Sequence, residues 1–426
     1  MRKKTIKYIS EIKNISQKGF FHLSTVNGFV YVIGFASQLF VAWILDPADI
    51  GRIKIMQTYI GFAALLTGCG FNTSLLKLAS ENCPEEKKND FLHLSLFMGS
   101  ISFIPIFLIL IILSKTGLIS KDPVIMRVFP LYALFLLPLT LQTIQLAYYQ
   151  AIREIKKMAV IQFYVKASSV ILIIIATYLF KLDGYVVIIP LTGLLSVFFL
   201  KKGLKGFISN LFSLRFKFQY TKTMWKLAKY ALIANLAGTL LYTTDIFLIN
   251  YLVEDRTEIG YYMFALTVIS VYQIIPSSIQ QIAFPFFSNK SENHVNWLKS
   301  YKKYNKLNHF LIVFFCLAGV IILPPIIKLV FSDKYNPSLF YFVCLSMAWM
   351  IRFLNSMKNN ALMGYGRFDL NFYISVMGLI ICFPLMYYLI DHYGLKGAIV
   401  GKFFESILIY LFTASVFQSF LKKTSS

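Results

Sequence analysis

The stretch "ILDPADIGRIKIMQTYIGFAALL" at residues 44–66 recurs in altered form as "LVEDRTEIGYYMFALTVISVYQI" at residues 252–274. In both, an apolar run ends in acidic residues, and a long apolar run follows an acidic–Ile–Gly turn. Asp49-Ile50-Gly51 aligns with Glu258-Ile259-Gly260. Apolar runs of this length separated by a short turn are typical of paired membrane-spanning helices. The repetition predicts that the chain consists of two related halves.

Two further pairs of segments match in the same order. "YYQAIREIKKMAVIQ" (148–162) corresponds in position to "ALMGYGRFDLNFYIS" (361–375), and "KLDGYVVIIPLTGLL" (181–195) to "YGLKGAIVGKFFESI" (393–407). Each half is expected to contain six helices, and because six is even, both halves have the same orientation. Such halves generally rock about a shared cavity and expose it alternately to either side.

The composition predicts an all-α, polytopic membrane protein. The chain has 426 residues, of which 57% are hydrophobic and 14% charged, and its mean hydropathy is +0.65. A spanning helix needs about 20 apolar residues. Twelve segments meet this requirement: 21–45, 50–76, 91–113, 124–150, 158–180, 184–200, 228–252, 258–284, 307–331, 338–362, 369–390 and 394–420.

The distribution of basic residues predicts the orientation of the chain. Most of the 42 Lys and Arg residues lie in the two tails and in the segments 77–90, 151–157, 201–229, 285–306 and 352–369. Lys and Arg accumulate on the cytoplasmic side, so both termini are predicted to be cytoplasmic. The predicted domains are a tail (1–20), an N-lobe with helices 1–6 (21–200), a basic cytoplasmic linker (201–228), a C-lobe with helices 7–12 (228–420) and a C-terminal tail (421–426). The net charge of +23 indicates contact with anionic lipid and not with nucleic acid.

Motifs of catalysis are missing from the sequence. It has no GxxxxGK[ST] loop and no HExxH, and its five cysteines are scattered singly. We therefore expect a carrier and not an enzyme, with no catalytic residue, no metal site and no cofactor. A proton or sodium gradient is a candidate energy source.

The quoted blocks resemble a known family. "LDPADIGRIKIMQTYIGFAALLTGCGFNTSLLKLASE" (45–81) is similar to the first hairpin of the polysaccharide-repeat flippases, the Wzx-type branch of the multidrug/oligosaccharidyl-lipid/polysaccharide exporter superfamily. Further segments look like family landmarks: "TTDIFLINYLVEDRTEIGYYMFALTVISV" (243–271), "AFPFFS" (283–288), "FSDKYNPS" (331–338) and "YGLKGAIVGKFFE" (393–405). Asp46 and Ile50 depart from that pattern, which has glycine and an aromatic residue there.

The resemblance implies a fold and a function. The fold would be that of the superfamily's multidrug exporters. The function would be to move undecaprenyl-diphosphate-linked oligosaccharide from the inner to the outer leaflet of the bacterial cytoplasmic membrane, for O-antigen, capsule or exopolysaccharide assembly. Expected partners are this lipid-linked oligosaccharide, membrane lipids and polysaccharide polymerase or assembly proteins.

Lys166 is the first candidate for binding such a cargo. It lies within predicted helix 5, and Gln162, one turn earlier, shares its face. Its ammonium either faces the cavity and binds the diphosphate or reaches the inner interface by snorkelling. The sequence leaves both open.

Asp245 is the candidate coupling residue. It lies within predicted helix 7, about 10 Å from its outer end, and an intramembrane carboxylate is a functional hypothesis by default. It could bind a proton or sodium, pair with a cation of the cavity, or form a structural hydrogen bond to a neighbouring Thr or Tyr.

Further polar residues are candidates for lining the cavity or binding phosphate. Asn27 and Gln38 lie on one face of helix 1, Asn235 on helix 7 and Gln273 on helix 8; helix–helix hydrogen bonding is the alternative. Arg52 and Lys54 open helix 2 and Lys77 closes it, positions that favour interfacial anchoring. Lys402 and Glu405, at i and i+3, are expected to neutralise one another.

Other functions remain open at this stage. The main alternative is a cation-coupled small-molecule or multidrug exporter of the same superfamily. A peptidoglycan-precursor flippase would usually have two more helices, and a glycosyltransferase or polymerase would need a large loop with catalytic acids. A non-transporting scaffold would not require charges inside the membrane.

Overall fold

The computed structural model describes residues 20–81, 83–200, 218–288 and 294–425, and within these ranges it contains helices and no strand. The predicted tail 1–20 and most of the linker 201–228 lie outside the described residues. The helices are α1 (Phe20–Ile44), α2 (Pro47–Gly68), α3 (Phe71–Ser80), α4 (Glu85–Lys115), α5 (Pro123–Tyr132), α6 (Leu136–Ala151), α7 (Ile155–Phe199), α8 (Thr221–Leu252), α9 (Arg256–Ile269), α10 (Ile274–Ser288), α11 (His294–Phe331), α12 (Asn336–Phe353), α13 (Ser356–Gly364) and α14 (Phe368–Ser425).

Eight helical stretches of the described chain are long and apolar enough to cross a membrane, and nine if α2 and α3, which meet at 51°, form one span. Large apolar side chains cover the outside of the bundle; Ile321 is 73% and Leu329 84% exposed. A water-soluble protein does not expose such a surface, whereas lipid solvates it. The chain is a multi-pass membrane protein.

Two of these helices contain a break at equivalent places. α7 covers two predicted spans, 158–180 and 184–200, and turns at Lys181 (φ 51°, ψ −135°). α14 covers 369–390 and 394–420 and turns at Gly394 with almost the same angles, φ 57° and ψ −137°. The equivalence confirms the internal repeat in this region.

The same breaks correct the predicted alignment by one residue. A Cβ on Gly184 would lie 2.1 Å from the Ala176 carbonyl oxygen, and a Cβ on Gly397 would lie 1.9 Å from that of Leu389. Gly184 therefore corresponds to Gly397, and Lys181 to Gly394 and not to residue 393. The backbone geometry fixes this register, which the side chains alone did not specify.

The two halves meet mainly through α2 and α9, which follow the repeated turns. A Cβ on Gly260 would lie 1.9 Å from the Pro47 carbonyl oxygen, and a Cβ on Gly51 would lie 3.1 Å from the Gly260 nitrogen. The backbones thus touch at the end of the bundle predicted to face outward. Of the 18 most apolar consecutive residues, 61% are buried in the stretch that contains α9 and only 17% in the stretch that contains α11. Helix α9 is therefore central in the bundle and α11 is peripheral.

Several helices begin earlier than predicted. α2 begins at Pro47 instead of residue 50, α8 at Thr221 instead of 228, and α11 at His294 instead of 307. Apolar character marks only the part of a helix inside the hydrocarbon, whereas basic and polar turns continue it into the interface. For the same reason, α14 continues to Ser425 through the predicted C-terminal tail.

Candidate functional site

A cavity of about 350 Å³ lies among α1, α2, α7, α9 and the α5–α6 region. Its polar lining comes from α1, α2 and α7 with one tyrosine of α5 and one threonine of α9: Ser37, Gln38, Lys54, Gln57, Tyr132, Lys166, Tyr185 and Thr267. The remaining lining is apolar or glycine. A cavity of this size that is mostly apolar and has a few polar groups is typical of a small-molecule site.

The side chain of Lys166 extends from α7 into this cavity and lies against α1. A Cβ on Gly34 would lie 3.0 Å from the Lys166 Cε and 3.4 Å from its Nζ. Because Gly34 has no side chain, the end of the Lys166 side chain can occupy the space beside it. Lys166 is 11 residues from the start of α7 at Ile155, or about 16 Å along the helix, which places its Cα near the middle of the bundle.

Lys54 enters the same cavity from α2. It is seven residues from the start of this helix at Pro47, or about 10 Å along it. One turn further, Gln57 Nε2 donates a hydrogen bond of 2.9 Å to the Tyr185 hydroxyl. The rings of Tyr185 and Tyr132 are stacked with centroids 6.4 Å apart. These groups form a hydrogen-bonded wall beside the lysine.

The charge of the cavity is positive. Among the described residues that line it, two are lysines and none is a carboxylate. Neither Lys54 nor Lys166 has a hydrogen bond or an ion pair through its ammonium within the described part of the chain. The Asp245 carboxylate attracts Lys54 electrostatically without pairing with it. An ammonium held at membrane depth without a paired counterion is energetically costly. The arrangement is therefore suited to binding an anion.

A second group of charges lies in the other half, between α8, α12 and α14. Lys402 Nζ lies 2.9 Å from Asp245 Oδ1 and 3.0 Å from Glu405 Oε2, and it donates to the Tyr242 carbonyl oxygen at 2.8 Å. Tyr262 donates from its hydroxyl to Asp245 Oδ2 at 2.8 Å. The Asp245 carboxylate is thus held by both a cation and a tyrosine.

Arg352 completes this buried charge network. Its guanidinium pairs with Glu405, which is fully buried, and lies over the ring of Tyr242 at 4.6 Å. Two acids and two bases neutralise one another. Removal of one member would leave a buried charge uncompensated, at a cost of about 3–5 kcal/mol.

A third group of charges joins the halves at the predicted outer end. Arg52 Nε donates to Asp122 at 2.8 Å, and Arg256, from the second half, approaches the same carboxylate at 3.7 Å. Lys334, also from the second half, lies 3.8 Å from Asp46. Burial lowers the pKa of Lys334, and the Asp46 carboxylate partly offsets this. We call these five residues the outer clasp.

A family profile described as "Polysaccharide biosynthesis protein" matches residues 40–339. The chain belongs to this family. The match begins within α1 and covers Asp245, the outer clasp and the cavity lining except Gly34, Ser37 and Gln38, and it ends within α12 before Arg352. No curated protein matches the chain in sequence.

Solved transporter structures share its fold. An inward-facing multidrug resistance MATE family transporter of the MOP superfamily is 13% identical with a TM-score of 0.73, covering 93% of this chain and 96% of its own. The lipid II flippase MurJ, in an inward closed conformation, is 14% identical with a TM-score of 0.75, covering 92% and 86%. A MOP superfamily transporter from Pyrococcus furiosus is 11% identical with a TM-score of 0.65, covering 94% and 96%. These similarities show that the chain has the same fold as these transporters.

The structure brings some of the sequence candidates together and separates others. Lys166 and Gln38 line the cavity, whereas Gln162 does not. Asn235 is exposed, and Gln273 is exposed with its amide 3.5 Å from the Tyr242 hydroxyl.

Two basic candidates at helix ends, Arg52 and Lys77, lie outside the cavity. Arg52 belongs to the outer clasp, and Lys77 is exposed near the end of α3. The side chain of Asn27 lies outside the described residues. Asp245 is buried in the charge network and does not line the cavity.

Sequence reasoning underrated two basic residues. Lys54 was expected to anchor the end of helix 2, but the early start of α2 places it in the cavity. Arg352 was placed in a cytoplasmic segment, 352–369, but it belongs to α12 and pairs with Glu405. The tyrosines of the cavity wall carried no signal beyond their apolar surroundings.

Proposed function

We propose that this protein is a flippase that moves undecaprenyl-diphosphate-linked oligosaccharide to the outer leaflet of the bacterial cytoplasmic membrane. The observation that supports this most is the pair of lysines, Lys54 and Lys166, in a cavity whose described lining residues include no carboxylate. A diphosphate is the part of such a cargo that hydrocarbon solvates worst. Two ammonium groups near the middle of the bundle offset that penalty, while the isoprenoid tail stays in lipid.

The size of the cavity limits what it holds in this conformation. A volume of about 350 Å³ is at the lower end of the range for ligand sites. We propose that the diphosphate and the adjoining sugar bind here, beside Gln38, Gln57 and Tyr185, and that the halves separate to admit the rest of the oligosaccharide. In this proposal, α7 and α14 each form two spans on either side of their breaks. The chain then has twelve spans in total, with both termini cytoplasmic.

The energy would come from a cation gradient or the membrane potential and not from ATP. The coupling residue that we propose is Asp245, which is buried in the second half and whose contact with Lys402 would change during alternating access. We propose a carrier and not an enzyme, which agrees with the transporters whose fold the chain shares.

The test is deletion of the gene followed by fractionation of lipid-linked sugars. Undecaprenyl-diphosphate oligosaccharide should accumulate on the cytoplasmic side, and the intact gene should reverse this while Lys166→Ala, present at normal abundance, should not. Unchanged surface glycan together with new drug sensitivity would instead support the small-molecule exporter, the fold of which is the same.

A further inference from the structure

The ammonium of Lys402 lies where three oxygen atoms of the second half converge. Asp245 Oδ1, Glu405 Oε2 and the Tyr242 carbonyl oxygen are 2.9, 3.0 and 2.8 Å from its Nζ. The exposed fractions of the Asp245, Glu405 and Lys402 side chains are 1%, 0% and 6%. Carboxylate and carbonyl oxygens are the ligands that bind hard cations in proteins. The ammonium therefore occupies an oxygen-lined position suited to a cation.

One positive charge at this position balances the charges of the residues around it. Arg352 already neutralises one of the two carboxylates, because it pairs with Glu405 and is held against Tyr242 and Trp349 at 4.6 and 5.8 Å. Without Lys402, the three charged groups of Asp245, Glu405 and Arg352 would retain a single negative charge, and Lys54, which does not pair with Asp245, would attract it only from a distance. A monovalent cation matches this charge, and a divalent one exceeds it.

The surroundings hold the carboxylates in place independently of the lysine. The Tyr262 hydroxyl binds Asp245 Oδ2, which leaves Oδ1 directed at the ammonium. Arg352 does the same for Glu405 by binding Oε1 and leaving Oε2 to Lys402. Each carboxylate is anchored through one oxygen and offers the other.

We propose that Lys402 is a tethered cation that fills this site, so that the unmodified protein binds no free sodium there, and that removal of Lys402 creates a site for sodium. Sodium coupling through Asp245 would then be excluded while the lysine is in place. The inference concerns the resting charge network and is independent of the cargo.

The experiment measures binding of radioactive sodium to the purified full-length protein by equilibrium dialysis, with choline chloride maintaining the ionic strength. The unmodified protein should bind no sodium that depends on Asp245. Lys402→Ala should bind about one sodium ion per chain, and its apparent melting temperature should rise by about 2 °C or more in sodium relative to choline. Adding Asp245→Asn to that variant should abolish both effects.

Lys396→Ala is the matched control, because this lysine lies on the same helix and is exposed. It should behave as the unmodified protein. Sodium binding by the unmodified protein that Asp245→Asn removes would overturn the proposal, and so would a folded Lys402→Ala that binds none. If the alanine variant does not fold, Lys402→Ser replaces it; if neither folds, the comparison of the unmodified protein with Asp245→Asn decides. Flipping is not measured, so the outcome does not depend on the proposed function.

Discussion

In the proposed function, recognition of the cargo depends on Lys54 and Lys166. If both bind one diphosphate, replacing either by Met should weaken binding of inorganic pyrophosphate to the purified protein by about 10-fold or more, since a hydrogen bond to a charged group contributes about 1.5–3 kcal/mol. Titration calorimetry measures this. If pyrophosphate binding is undiminished when both lysines are replaced, the cavity recognises something other than phosphate.

Lys121→Met is the control for the loss of positive charge. This lysine is exposed before α5, lies 4.9 Å from the ring centre of Tyr251 and does not line the cavity. Its replacement should leave pyrophosphate binding unchanged. An equal loss in all three variants would show that overall charge, and not the cavity, attracts the anion.

Arg352 affects stability more than binding. Arg352→Met leaves the fully buried Glu405 with Lys402 as its remaining cation, which Asp245 shares. The variant should lose about 3–5 kcal/mol of unfolding free energy, seen as a clear fall in melting temperature. Combining it with Glu405→Met should restore much of the loss, because both buried charges are then gone. A double variant less stable than Arg352→Met would contradict this reasoning.

Sequence alone could identify Lys166 and the pairing of Lys402 with Glu405, but not the other partners of the buried charges. Lys166 stands far inside an apolar run, so its depth is evident whatever the helix boundaries. The position of Lys54 depends on whether helix 2 begins at residue 47 or 50. The partners of Lys402 lie up to 160 residues away, as with the Tyr242 carbonyl. No local pattern encodes such a distance.

At the scale of elements, the contact between α2 and α9 depends on glycine. Gly260→Ala would place a methyl group 1.9 Å from the Pro47 carbonyl oxygen, so the helices must separate. Overpacking of this kind costs about 1–3 kcal/mol, and thermal unfolding should show the loss. Gly68→Ala in the same α2 is the matched control, because its Cβ would meet no atom of the described residues within 4 Å.

The repeated acidic–Ile–Gly pattern predicted the helix pair on each side of this contact, but not that the two glycines would face each other. The sequence repeat implies that the two halves are related by a pseudo-two-fold axis. This axis passes through the place where equivalent helices of the two halves touch. That point is decided by close packing of the whole bundle. The one-residue error at Lys181 and Gly394 has a related cause, since only the backbone turn distinguishes the two registers.

At the scale of the whole molecule, the alternating access that we propose would require the outer clasp to open. Asp122 connects the halves, since it binds Arg52 of the first half and faces Arg256 of the second. Asp122→Asn removes that attraction and should shift the population towards a state open at the predicted outer end. The shift is measured with a single cysteine at Thr267, which lines the cavity, in a protein whose five native cysteines are serine.

A membrane-impermeant thiol reagent added from outside should label this cysteine slowly in the otherwise unmodified protein and several-fold faster with Asp122→Asn. Asp183→Asn provides the control, because the Arg127–Asp183 pair is exposed and lies wholly within the first half. It breaks an ion pair of similar length without touching the other half, so labelling should stay slow. Equal acceleration in both variants would mean that loss of any outer ion pair loosens the bundle, and that Asp122 has no special part in holding the halves together.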